Sequence, residues 1–168
     1  MDRRVAVVGD RIVLSSLRHP SLNITFTMNR WAHFILMLED IDDAARLRPL
    51  QRKAVGRRRV SFRSHLGEGY YVTAIYCKRV LDFRLHFVVC GSKINMIYAS
   101  SSGITINLQE EWNDLFNHVI PAIHEHYSKF ANIRPRCGYI DSDEHQLGWK
   151  ACTVCYPFGQ DSDLEDND

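Results

Sequence analysis
The chain has 168 residues, 45% of them hydrophobic and 24% charged, a balance that excludes general disorder and suffices for one ordinary domain or two small ones. No run approaches the roughly 18 apolar residues of a membrane span, and Met1-Asp-Arg-Arg lacks a signal peptide's apolar stretch, so an intracellular protein with no membrane partner is expected. The net charge is +1, but residues 1–100 hold 17 Lys and Arg against 8 Asp and Glu, whereas residues 101–168 hold 4 against 12. A basic front with an acidic rear fits a nucleic-acid binder with a competing tail; it equally fits solvated faces with no binding role.

In chain order, Arg4-Val-Ala-Val-Val, Gly9-Asp10 and Arg11-Ile-Val-Leu predict a hairpin, and His19-Pro20-Ser21 turns into a strand over Leu22 to Thr27. Phe34, Ile35, Leu38, Ile41 and Ala45 follow Trp31 at helical spacing. The helix is expected from about Asn29 to Leu47, because the residue before Pro49 is biased out of helical geometry. Arg46, Arg48, Arg52, Lys53, Arg57, Arg58 and Arg59 then follow without an intervening acid. That run reads as a linker, either a nuclear-import or phosphate-contacting segment or simply an exposed connection.

Beyond it, Arg59 to Arg63 alternates, Leu66-Gly-Glu-Gly69 turns, and Tyr70 to Lys78 returns as a strand. Phe83 to Cys90 and Ile94 to Ser100 flank a Gly91-Ser-Lys turn, and Ile104 to Asn107 forms a last short strand after Gly103, a residue free to turn. A curved antiparallel sheet of about four or five strands is expected. From Trp112, Leu115, Phe116, Val119, Ile120, Ile123 and Tyr127 share one helical face. Asn107 can cap this helix, Glu110 and Glu111 suit its first turn, and Pro121 should kink or restart it. The strand–tryptophan–helix unit thus occurs twice: Trp31 matches Trp112, Phe34 matches Leu115, Ile35 matches Phe116 and Leu38 matches Val119, all at an offset of 81.

The second unit carries Arg63, Tyr71, Tyr76, Lys78, Arg79, Arg84, His86, Lys93 and Tyr98 on its strands and turns, preceded by Arg57, Arg58 and Arg59. Rings for base faces interleaved with cations for phosphates suit a platform for unpaired strands. Half of any strand faces the core, however, so some of these tyrosines must be structural, and the pleat register decides which.

These residues resemble the single-stranded-DNA-binding domain of transcriptional coactivators of the positive cofactor 4 type. The resemblance rests on I-T-F-T-M-N-R-W-A-H-F-I-L-M-L-E-D-I-D-D-A-A-R-L in the first unit, and on Val60-Ser-Phe-Arg63 and G-I-T-I-N-L-Q-E-E-W in the second. It implies a dimer of curved four-stranded sheets, each with one C-terminal helix, lining a basic, aromatic channel. Arg63 falls on that family's DNA-contacting arginine. With both units in one chain, the resemblance implies an intramolecular pseudo-dimer, or else a homodimer, acting on single-stranded DNA or RNA with transcription or replication proteins in the nucleus. The first unit is shorter than the family's sheet, and the second has an extra hairpin between Phe83 and Ala99.

After Tyr127 the pattern changes. Cys137, His145, Cys152 and Cys155 stand at C-x7-H-x6-C-x2-C, three thiols and an imidazole that would suffice for a structural zinc ion, with an aspartate, His124 or His126 able to replace one ligand. Free thiols are the alternative, since only one half is a CxxC pair. Asp161 to Asp168 is an acidic tail expected to be disordered, in which Ser162 has an acidic context suited to phosphorylation. No P-loop, dinucleotide fingerprint, H-E-x-x-H or G-x-S-x-G is present, so no enzyme is expected and no catalytic residue is named.

The expected fold is therefore α+β: curved antiparallel sheets, each followed by an amphipathic helix, and a small C-terminal Cys/His segment. The units are residues 1–47, a basic linker 48–58, a larger sheet and helix 59–130, the Cys/His segment 131–158 and the tail 159–168. The expected function is single-stranded nucleic-acid binding in transcription or replication, with a zinc-stabilised protein adaptor as the alternative.

Overall fold
A computed structural model describes residues 2–46, 60–75, 78–90 and 95–135. The fold is α+β, with two antiparallel sheets, each followed by helices. The first sheet is the meander β1 (Arg3–Val8), β2 (Arg11–Ser16) and β3 (Asn23–Phe26); α1 (Met28–Leu36) and α2 (Leu38–Arg46) follow it. The second is the meander β4 (Val60–Gly67), β5 (Tyr70–Ile75), β6 (Val80–Cys90) and β7 (Asn95–Asn107). After β7 come α3 (Glu110–Asp114), a π-helical turn (Leu115–Val119), α4 (Ile120–His126) and a 3-10 turn (Ser128–Phe130).

The curved sheets expected from the sequence are not what forms: neither sheet is curved or closed, and both are open meanders in chain order. In the first, β1, β2 and β3 pair without a break in register, so no bulge bends them. In the second, the register shifts are scattered, two along β4 and one between Arg84 and His86 on β6, rather than aligned across neighbouring strands to coil the whole sheet. Nor are the units equivalent halves of a pseudo-dimer. Among the described residues one has three strands and the other four, and their helices are interrupted in different ways.

The first helix breaks at Met37, whose N–H turns back to the Phe34 carbonyl at 3.1 Å while its own carbonyl accepts from Ile41. The second is capped as its sequence suggests. Asn107 Oδ1 accepts from the Gln109 and Glu110 N–H groups, and Glu111 Oε2 accepts from the Asn107 N–H. Pro121 then sits in the first turn of α4, directly after the π turn. Proline offers no N–H and crowds the carbonyl four residues back, and the widened turn accommodates both defects.

Both units feed one core. Ile12, Leu14, Ile24 and Phe26 of the first sheet join Leu66, Val72, Ala74, Leu81, Phe83, Ile104 and Ile106 of the second. Trp31 and Trp112, both buried, lie among them, and Phe34 stands between the units, 5.5 Å from Phe83 and 6.3 Å from Trp112 between ring centres. Each tryptophan donates its indole N–H to the other unit: Trp31 to His124 Nε2 at 3.3 Å, Trp112 to Asp42 Oδ1 at 3.0 Å. Buried indoles need such partners, and here the partners fasten each helix to the opposite half.

Candidate nucleic-acid interface
The register of the second sheet sorts its side chains. Ser64, Val72, Phe83 and Ile104 form one cross-strand row facing the core. The alternate rows, Arg63–Thr73–Asp82–Thr105 and His65–Tyr71–Arg84–Gly103, belong to the opposite face. Arg63, Tyr71 and Arg84, picked out from sequence, therefore share the outer face on adjacent strands. Lys78 and Arg79 are exposed in the β5–β6 turn at one end of the sheet, where the Arg79 carbonyl accepts from the Leu108 N–H at 3.0 Å. Arg57, Arg58, Arg59, Tyr76 and Lys93 lie outside the described residues.

The chemistry of this face differs from an open row of rings and cations. Tyr71 is buried, its ring 4.9 Å from that of His65 and 5.0 Å from that of His86. Arg84 is held by Asp82, with nitrogen–oxygen distances of 3.0–3.2 Å, and also donates to the Ser100 carbonyl at 3.0 Å. Its charge is thereby largely offset in place. Arg63 is half-buried and reaches the Thr73 hydroxyl at 3.4 Å. Tyr98 is 42% exposed, but it stands opposite Phe87, on the side of β6 that carries Phe83 rather than the side of Arg84 and His86. Sequence could separate Tyr71 from Tyr98 only with the pleat register in hand.

His86 contacts the Arg84 carbonyl through Nδ1 at 3.1 Å. Burial pushes its pKa below the ordinary histidine value; the Arg84 carbonyl and Asp82 oppose the shift, and the Arg63 and Arg84 guanidiniums reinforce it. Next to it, Gly103 answers to close approach rather than to a turn. A Cβ there would lie 2.3 Å from the Phe83 carbonyl oxygen, so β6 and β7 can pair at this point only around a glycine.

The zinc expectation is corrected as far as the described residues reach: among them no group of three or more His, Cys, Asp or Glu side chains could hold a metal ion. Cys137, His145, Cys152 and Cys155 all lie outside the described residues, and His124, one of the proposed substitute ligands, already uses Nε2 to accept from Trp31. No helix among the described residues is long and apolar enough to cross a membrane. Comparison with protein-family models, with curated proteins and with solved structures gave no match.

Proposed function
We propose that the chain binds unpaired nucleic-acid strands, DNA or RNA, across the outer face of the second sheet. Arg63, Lys78 and Arg79 would contact phosphates. The observation that carries this reading is the strand register, which sets Arg63 and Arg84 on one face, opposite the core, with the exposed Lys78 and Arg79 at its end. The resemblance to the positive cofactor 4 type supports the same reading, with a role in transcription or replication in the nucleus. A second reading, a protein adaptor that does not bind nucleic acid, is favoured by the burial of Tyr71 and the Asp82 carboxylate on Arg84.

The test is a salt titration of binding to a fluorescent single-stranded oligonucleotide. Log K should fall against log salt by about 0.7 per phosphate neutralised, so Arg63→Ala should flatten the slope by about 0.7. Duplex of the same sequence should bind more weakly, its bases being already stacked. Equal affinity for single strand and duplex refutes the unpaired-strand reading, and no binding at about 50 mM salt favours the adaptor.

A further inference from the structure
The first sheet and the helical segment after β7 border a half-open cavity of about 190 Å³, away from the second sheet's outer face. Val5 and Leu14 from neighbouring strands of the first sheet, Ile106 from β7, and Leu115 and Val119 wall it with apolar surface. A volume of about 150 Å³ is enough to hold benzene, so this one has room for a small apolar body. Leu115 and Val119 are the first and last residues of the π turn, whose closing bond runs from the Ile120 N–H to the Leu115 carbonyl. Such turns are rare and collect at functional sites, and here the widened turn is itself one wall of the cavity.

Three charged side chains complete the lining. Arg3 is already committed: its Nε donates to the Thr105 carbonyl at 3.0 Å and its Nη1 to the Asp2 carbonyl and carboxylate. Glu111 Oε2 accepts from the Asn107 N–H at 2.8 Å and lies 3.7 Å from Arg3 Nε. Asp114, by contrast, has no hydrogen bond or ion pair among the described residues. Arg3 and Glu111 offset each other, so Asp114 leaves the lining with one excess negative charge beside an aliphatic wall.

We infer that this cavity binds a primary alkylammonium: a short aliphatic chain against Val5, Leu14, Ile106, Leu115 and Val119, with its head at Asp114. That chemistry is shared by a free alkylamine and by a lysine side chain of a partner protein.

The test is methyl NMR of the full chain titrated with n-butylammonium, with butyrate and n-butanol as anionic and neutral controls. Saturable shifts confined to the five wall residues are expected with butylammonium, with binding at least about tenfold tighter than for either control, the equivalent of 1.4 kcal/mol. Asp114→Asn should weaken butylammonium binding by a similar factor. Leu115→Phe, which fills the cavity, should abolish it, and its thermal unfolding shows whether the fold is kept. Nα-acetyl-lysine amide binding as tightly as butylammonium assigns the site to a partner's lysine; binding by the free amine alone assigns it to a small molecule. Absence of saturable shifts, butyrate binding as tightly as butylammonium, or unchanged binding by Asp114→Asn overturns the inference.

Discussion

The bond from the Trp112 indole to Asp42 Oδ1, 3.0 Å long, joins the second unit's helix to α2 of the first, and its contribution can be isolated with a double-mutant cycle. Trp112→Phe removes the N–H and also part of a fully buried ring, so alone it mixes a hydrogen bond with a packing loss. Asp42→Ala removes the acceptor and also the exposed ion pair with Arg46, a contact four residues along the same helix that contributes only about 0.3–0.5 kcal/mol. In the cycle, the packing loss occurs with and without Asp42, and the Arg46 pair is lost with and without Trp112. Both cancel, leaving the indole–carboxylate coupling. A hydrogen bond to a charged partner contributes about 1.5–3 kcal/mol, and the Asp42 side chain retains 15% exposure, so a coupling near the lower figure, about 1.5 kcal/mol, is expected. That is more than a tenfold change in the folding equilibrium. Urea unfolding should be followed by far-ultraviolet circular dichroism, since the substitution alters tryptophan fluorescence. If the two single changes add to within about 0.5 kcal/mol, the bond does not couple the halves and the reasoning fails.

Gly103→Ala should destabilise by about 3 kcal/mol, the upper end for overpacking, because the new Cβ meets the Phe83 carbonyl oxygen and the Arg84 Cα, backbone atoms that move only if β6 and β7 separate. Ser102→Ala, one residue away and exposed, is the control and should leave the urea midpoint nearly unchanged. Stability should also depend on pH through His86 and His124, both lowered from the ordinary 6.5 by burial. In each case the unfolded chain binds the proton more readily than the folded one, so the contribution is complete above about pH 6.5 and is lost as the pH falls from there through the lower folded values. Urea midpoints measured between about pH 7.5 and 5 should decline, and His86→Gln with His124→Gln should flatten the decline. An equally steep decline in the double variant would assign the dependence to other groups.

The sequence made the strands, the two tryptophans and the Asn107 cap legible, because alternation, helical spacing and capping chemistry act over a few residues. It did not show the break at Met37, which has neither proline nor glycine beside it and whose side chain is fully buried between α1 and α2. The run Ser100-Ser-Ser-Gly103 reads as a loop, yet it lies inside the 13-residue β7. There Ser100 Oγ donates to the Leu85 carbonyl at 2.7 Å, beside the shift in register between Arg84 and His86. Side chain and backbone together thus carry the strand across a place where local propensity predicts an end. Curvature was illegible for a related reason: it depends on how irregularities on separate strands align, which no single segment encodes.

The candidate site illustrates the same division between local and non-local information. Residue types alone put Tyr71 and Arg84 beside Arg63 as equivalent members of a binding face, and the register does set them on one side of the sheet. Their availability, though, is decided by neighbours distant in sequence or two positions away on a strand. His65 and His86 flank the ring of Tyr71, and Asp82 holds the guanidinium of Arg84. An arginine held by a carboxylate can reach a phosphate only by exchanging one anion for another, whereas Lys78 and Arg79 at the exposed turn face no such exchange with Asp82. On this argument the sheet's edge and end would contact a strand's backbone first. The Asp82–Arg84 pair would then limit affinity, and Asp82→Asn should tighten single-strand binding and steepen its salt dependence by about 0.7 if Arg84 lies on the strand's path. Unchanged affinity would place Arg84 outside that path and leave it a structural tie between β6 and the Ser100 carbonyl.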